Sequence, residues 1–386
     1  MAGKFGKRAR LIAVALLVLA GGAPSTVSAL AGGQASQGLP PRPIQQSQPP
    51  VTQVNPAPAR PLQLLPAADA QRALADRITD LGGNFDGIVG IAVRDVETGW
   101  TTSWNGQRYF PQQSVSKFWV ALTALQAADA GRLDLSRQVT LTRDDLTLFH
   151  QPVAADIGPN GYTATLDQFM FRALTTSDNT CNDLVLRHAG GPEAVRAMLA
   201  RNGLDGIRFG PGERIMQSEI AGLRWQPAFS RGNAFYQARA AVPVDRRRLA
   251  FNRYVEDPVD GATPEGIVAG LARLQRGELL SQRSTARLLS ILAQVRTGPQ
   301  RLKGGLAPGW QIAHKTGTGQ VFNGEQAGYN DIGILTAPDG RHYAVAVMIG
   351  RTATPLGARM ALMQNVTRAV IAYHEATGFS AGTQLR

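Results

Sequence analysis

The stretch from Tyr109 to Gly131, YFPQQSVSKFWVALTALQAADAG, places Ser114, Ser116 and Lys117 where an apolar helical run begins. Serine at a helix start is ordinarily a cap, its hydroxyl oxygen accepting from a first-turn N–H. A chemical reading stands beside that one. Ser114 and Lys117 are three residues apart, so on a helix they share a face and the ammonium can approach the hydroxyl. A serine hydroxyl is a poor nucleophile near neutral pH and needs a neighbouring base. A helix N-terminus also offers free N–H groups, and the positive end of its dipole, to an oxyanion forming there. The spacing alone leaves both readings open.

The chain of 386 residues is 44% hydrophobic, enough for one large domain or two moderate ones. Its formal net charge is +12, of which Lys4, Lys7, Arg8 and Arg10 supply four. These precede the apolar run Leu11–Ala20, and Val27-Ser28-Ala29 has the small residues of a cleavage site. Residues 1–29 therefore read as a signal peptide, and the mature protein is expected to be periplasmic or secreted. The apolar run is about half of a bilayer span, so no stable membrane insertion is expected. The basic surface carries no zinc-finger spacing, aromatic–basic RNA motif or basic-region heptad, so nucleic acid is not an expected partner. Cys181 is the one cysteine, which excludes an internal disulfide or a multi-thiolate metal site and suits a small buried residue.

Residues 30–65 are rich in Pro and Gln and read as an unstructured tether. The folded part begins at 66 with a helix, AADAQRALADRITDLGG. GIVGIAVRDVETGW and TTSWNGQRYF then read as a hairpin turning at Glu97-Thr98-Gly99. From Ser114 to about Leu204 the pattern is helical, broken at Gly131, at Pro152 to Gly161 and at Gly190-Gly191-Pro192. Residues 205–262 read as loop-rich, with Arg246 to Arg248 a solvated helix face. TPEGIVAGLARLQRGELLS and STARLLSILAQVRTG read as helices. Strands follow in GWQIAHKTGTG and on either side of the turn Pro338-Asp339-Gly340, and a last helix closes the chain. The order predicts an α+β fold of two lobes. One is an α/β lobe with an antiparallel sheet built from both termini (66–112 and 263–380). The other is a helical lobe (113–262) inserted into it, with a cleft between the two.

Two further triplets bear on the opening question. Ser177-Asp178-Asn179 follows the apolar LDQFMFRAL, and Lys315-Thr316-Gly317 ends a strand-like run. Alone, the first is an ordinary turn and the second a polar strand end. Together, S-x-x-K, S-D-N and K-T-G in this order resemble the motif set of class A β-lactamases and penicillin-binding proteins. The resemblance to class A covers about residues 66–380, and it extends to TPEGIVAGLARLQRGELLS, to GLAPGWQIAHKTGTG and to NDIGILTAP. It also singles out Glu213, 36 residues after Ser177, as the glutamate of an Ω-shaped loop, with Gln217 where the family usually has asparagine.

The resemblance implies that Ser114 attacks a β-lactam carbonyl, Lys117 eases removal of its proton, and Ser177 passes a proton to the lactam nitrogen. Glu213 and Gln217 would hold the deacylating water, with Glu219 the fallback. Either Lys117 or Glu213 would be the acylation base. Asn179, Lys315, Thr316, Gly317 and Thr318 would bind substrate, and His150 stands at the cleft edge. The backbone N–H groups of Ser114 and Thr318 would form the oxyanion hole. Neither a metal nor an organic cofactor is implied, the partner is a small β-lactam, and a monomer is expected. A D,D-peptidase, another serine acyl hydrolase, or a β-lactam-binding protein that acylates without turnover are the alternatives. Several features depart from the family. An insertion lies near 218–259 and reads more as surface decoration than as a lid. Asp260 fits the loop-closing aspartate, but no arginine precedes Glu213 at the partner position, leaving Arg208 or Arg214 as substitutes. Asp183 replaces a frequent asparagine, and His314 suits a core role.

Overall fold

The computed structural model describes Leu65 to Gly378, which belong to one unit. The expected signal peptide and the tether up to residue 64 lie outside the described residues. Helix α1 (Ala67–Gly83) leads into the expected hairpin of β1 (Ile88–Asp95) and β2 (Thr101–Trp104). Asp95 holds its turn, Oδ1 accepting from the N–H groups of Glu97 and Thr98, and Gly99 supplies a φ of 77°. After the short β3 (Phe110–Pro111) comes α2 (Lys117–Asp129), buried without a break from Lys117 to Leu125. A helix apolar on all sides belongs inside a protein, and α2 is the central rod of the helical lobe.

The helical stretch holds one element that its composition hid. β4 (Gln138–Leu141) and β5 (Tyr162–Thr165) pair as a small antiparallel ribbon. Helices α3 (Leu166–Thr175), α4 (Asn179–His188) and α5 (Gly191–Arg201) follow, as the sequence predicts. Thr165 and Gln168 cap α3 reciprocally, and Asp178 caps α4.

Residues 205–262 correct the loop-rich expectation. They contain α6 (Glu213–Ile220), α7 (Ala234–Ala241) and α8 (Val244–Glu256). The helices are short, with Gly and Pro between them, so no long apolar period marks them. Each finds its stability in a small local core. Phe229 and Phe235 pack with Leu148 and Ala221, and Phe251 and Tyr254 pack with Met216, Ile220 and Phe322. Arg246 to Arg248 lie on α8, with Arg246 and Arg248 exposed, as expected of a solvated face.

The strand β6 (Gly261–Ala262) closes this segment by pairing with β3. Then come α9 (Pro264–Gln275), α10 (Gln282–Ala293), β7 (Gln311–Thr318), β8 (Val321–Phe322), β9 (Glu325–Thr336), β10 (His342–Thr352) and α11 (Leu356–Ala376). The main sheet runs β2-β1-β10-β9-β7, antiparallel throughout, with β8 paired to β9. The β1–β10 pairing joins the two ends of the chain into one sheet, which is the two-ended lobe expected.

Strand period decides which side chains enter which core. On β10, Tyr343, Val345, Val347 and Ile349 join the core shared with α1 and α11. Ala344, Ala346 and Met348 join the larger core, which takes in Trp119 and Leu122 of α2 and Ile267 and Leu271 of α9. The small residues let the helices sit close to the sheet. Leu122 is fully buried in that larger core. Leu122→Ala is expected to lower stability by about 2–5 kcal/mol. The measurement is the urea unfolding midpoint, and a negligible shift would show that α2 is not a shared core element.

Candidate active site

Ser114 stands on a turn, Gln113–Ser116, that runs directly into α2. The turn is strained, since Gln113 adopts a φ of 53°. A non-glycine residue there costs about 1–3 kcal/mol and persists only where its surroundings over-determine it. Here they do. The Gln113 N–H donates to Asp260 Oδ2 at 2.8 Å, and Gln112 Nε2 donates to the carbonyls of Arg208 and Asp260. Asn330 Nδ2 donates to the carbonyls of Pro111 and Gln112. Gly317 permits this approach of β7, because a Cβ there would lie 2.3 Å from the Gln112 carbonyl oxygen. Neither serine caps the helix: Ser116 donates to the Gln113 carbonyl, and Ser114 Oγ accepts from Lys117.

Lys117 is buried and its ammonium has three acceptors. They are Ser114 Oγ at 2.7 Å, Asn179 Oδ1 at 2.9 Å and Glu213 Oε1 at 2.5 Å. An ammonium has three donors, so its capacity is filled. A buried ion pair is tolerable only when its remaining polar atoms are also satisfied. Glu213 Oε2 accepts from Gln217 Nε2 at 3.2 Å, and the Glu213 N–H donates to Asp183 Oδ1. Burial, and then the charge of Glu213, push the Asp183 carboxyl up to about 6.

The second and third motifs meet across the cleft. Lys315 Nζ donates to Ser177 Oγ at 2.9 Å and to the Thr316 carbonyl. Burial drives the Lys315 ammonium well below its usual range, and the charges of Lys117 and Arg301 push the same way. Ser177 is a second left-handed residue, with φ 61°. Asp178 faces away from this chemistry. Its oxygens accept from the N–H groups of Cys181 and Val153 and pin α4 to the preceding loop. Asn179 spends Oδ1 on Lys117 and one N–H on the Leu148 carbonyl. Thr316 Oγ1 is bonded to Thr297 Oγ1, and Thr318 Oγ1 accepts from Arg301 Nη2 at 2.6 Å.

A cavity of about 310 Å³ is lined by Gln113, Ser114, Asn179, Gln217 and Thr318, with His150 at its edge and Arg239 of α7 on its wall. His150 Nε2 is bonded to the Thr176 carbonyl. A larger cavity, about 600 Å³, lies between α6 and α8 and holds Glu219 but no residue of the three motifs. Glu219 is thus outside the cluster around Ser114. His314 is buried in β7 with Nδ1 bonded to Asp331, in line with a core role. Cys181 is buried as expected, and burial pushes its thiol up.

The loop-closing expectation for Asp260 needs correction. Among the described residues no arginine pairs with it: Arg208 pairs with the exposed Asp257 at 2.5 Å, and Arg214 donates to the Asp144 carbonyl. Asp260 instead accepts from the Gln113 N–H and from the Tyr254 hydroxyl at 3.2 Å. Burial raises its carboxyl to about 7, although both of these hydrogen bonds oppose the rise. Gln113 Nε2 donates to the Tyr254 oxygen at 2.6 Å, and Gln113 Oε1 accepts from Gln217 Nε2 at 3.0 Å. A buried chain therefore runs Glu213–Gln217–Gln113–Tyr254–Asp260. Gln320 Nε2 also clamps the carbonyl and Oε1 of Gln217. Gln113, Tyr254 and Arg301 were missed by sequence reasoning. Only the position of Gln113 beside Ser114 could have suggested one of them; Tyr254 and Arg301 belong to no spacing rule.

Two outcomes follow from this chain. Tyr254→Phe strips a partner from both Gln113 and Asp260 and is expected to cost about 1–3 kcal/mol in unfolding free energy. An unchanged midpoint would show that the hydroxyl holds nothing. The second concerns pH. A carboxyl whose folded pKa lies above its unfolded value takes up protons on folding. Its stabilising contribution is full below about pH 4 and is lost as pH rises through about 7. Asp260→Asn should therefore be less disadvantaged against the parent at pH 8 than at pH 5, as read from unfolding midpoints at the two pH values. The opposite order would mean that Asp260 stays ionised.

Comparison with known proteins places the chain in a family. The profile of the beta-lactamase enzyme family matches residues 73–374. Beta-lactamase VEB-1 from Pseudomonas aeruginosa is 28% identical over 264 residues, 68% of this chain and 78% of the relative. The extended-spectrum beta-lactamase PER-1 from the same organism is 27% identical over 67% of this chain and 73% of its own length. Among solved structures, a beta-lactamase from Chitinophaga pinensis superposes with a TM-score of 0.63 at 26% identity, covering 77% of this chain and 97% of its own. An ancestral class A beta-lactamase gives a TM-score of 0.61 at 28% identity, with 77% and 98% covered. With the three motifs gathered around one cleft in this fold, the chain belongs to the beta-lactamase enzyme family, among its class A members.

Proposed function

We propose that this enzyme opens β-lactam rings through an acyl-enzyme on Ser114, which a water activated by Glu213 then hydrolyses. The observation that carries the reading is the Lys117 ammonium bridging Ser114 Oγ, Asn179 Oδ1 and Glu213 Oε1. Because all three of its protons are engaged, Lys117 accepts the Ser114 proton only after giving one to Glu213. Lys117 and Glu213 thus act as a coupled base, and either group can be the formal acceptor.

Ser114 Oγ bonds to the lactam carbonyl carbon, and the tetrahedral oxyanion rests on the backbone N–H groups of Ser114 and Thr318. As the intermediate collapses, the C–N bond breaks and the nitrogen takes its proton from Ser177, whose hydroxyl already contacts Lys315 Nζ. The proton held by the Lys117–Glu213 pair passes on to Ser177, so that Glu213 is a carboxylate again when the acyl-enzyme has formed. Lys315, Thr316 and Thr318 receive the ring carboxylate, with Arg301 orienting Thr318 and adding positive charge. Asn179 keeps one amide N–H for the substrate's acyl side chain. In the second half, water gives a proton to Glu213 and adds to the ester. Ser114 then leaves with a proton returned through Lys117. Gln217, fixed by Gln113 and Gln320, positions the water together with Glu213. The export-like start of the chain suits an enzyme that meets its substrate outside the cytoplasm as a monomer.

Glu213→Gln keeps the shape of the site and removes the base. It is expected to acylate on Ser114 and stall, with steady turnover of a chromogenic cephalosporin falling about 100- to 10,000-fold. Mass spectrometry after penicillin treatment should show the adduct on the Ser114 peptide. Parent-like turnover in that variant would reassign water activation. A stoichiometric burst followed by silence in the parent would instead mark a β-lactam-binding protein.

A further inference from the structure

Building on this acyl-enzyme reading, we propose that Arg239 is a specificity residue that favours β-lactams carrying a second carboxylate on the acyl side chain. Arg239 belongs to α7, within the insertion near 218–259, yet it lines the same cavity of about 310 Å³ as Ser114, Asn179 and Gln217. The insertion therefore reaches the reaction site.

The guanidinium of Arg239 is held by aromatic faces, 5.6 Å from the ring centre of Phe235 and 5.2 Å from that of Tyr236. Phe235 and Tyr236 pack edge-on against Phe149, the neighbour of His150 at the cleft edge. This stacking fixes where the charge sits, and stacking of this kind suits arginine better than lysine. Arg239 has no carboxylate and no hydrogen-bond acceptor among the described residues. Burial and the neighbouring charge of Arg247 both disfavour its cationic form. A guanidinium stays protonated even so, and an entering anion would relieve that cost.

The other cations of the cleft are already engaged. Lys117 is paired with Glu213, Lys315 is bonded to Ser177 and the Thr316 carbonyl, and Arg301 serves Thr318 and two carbonyls. Those on β7 and beside it stand where the ring carboxylate is received. Arg239 comes instead from α7 and lines the cavity together with Asn179, the residue that this reading assigns to the acyl side chain. A ligand carboxylate there completes a charge-assisted, bidentate pair.

The test compares benzylpenicillin with carbenicillin, which adds one carboxylate to the same acyl side chain. kcat/KM is measured for both substrates with the full chain and with Arg239→Gln, Arg239→Lys and Arg239→Glu. The carbenicillin-to-benzylpenicillin ratio is expected to fall about tenfold in Arg239→Gln, further in Arg239→Glu, and less in Arg239→Lys, chiefly through KM. A ratio that stays within about twofold in both the Gln and Glu variants overturns the proposal. So does an equal loss on both substrates, which would mark Arg239 as merely structural. If the parent turns over neither penicillin, the acyl-enzyme turnover reading fails. The ratio of Ser114 acylation rates, followed by mass spectrometry, then decides the role of Arg239 in the same way.

Discussion

Everything around the cleft depends on one buried ammonium. Lys117 is removed from water and must be compensated by acceptors brought from far apart in the chain. Asn179 arrives on α4 and Glu213 on α6, and Ser114 lies one turn away. Removing any of the three would leave a buried charge short of a partner. The surrounding architecture is thus committed to keeping α2, α4 and α6 in register, and the arrangement that stabilises the charge also aligns a hydroxyl, a carboxylate and an amide.

That register is enforced from the sheet side as well. β7 approaches the turn bearing Ser114 so closely that only glycine fits at 317. Asn330 of the neighbouring β9 holds the carbonyls of that turn. The left-handed conformation of Gln113 is costly and is held by these contacts, while the left-handed Ser177 is bonded from the sheet by Lys315. Two strained residues therefore sit at the two serines assigned to the chemistry, where orientation matters most.

The insertion gives the enzyme its individual character. Its helix α8 delivers Tyr254 into a buried chain that ends on Gln217 and Glu213, so the segment holding the glutamate is closed by hydrogen bonds through Gln113 rather than by an ion pair to Asp260. Asp260, raised by burial toward neutrality, fits such a network better than it would fit a salt bridge. Its helix α7 delivers Arg239 to the cavity wall. A segment that reads as decoration thus bonds to the residue beside Ser114 and contributes to the cavity lining.

The family, the two-ended sheet and the order of the motifs were legible in the sequence, because each is written in local signals. Ser114 and Lys117 share a helical face by spacing alone, the β1–β2 turn follows from Asp95 and Gly99, and strand period is visible in YAVAVMIG. The helices of 205–262 escaped notice because they are short and rest on cores assembled from distant residues. The same holds for Tyr254, Arg301 and Arg239, whose importance lies in what stands opposite them, 141 residues away for Tyr254 and Gln113. Sequence determined which groups were available, since composition and local period belong to the chain itself. Only tertiary structure decided which of them meet, because a hydrogen bond or an unpaired charge depends on distance and burial, and those arise when remote segments pack together.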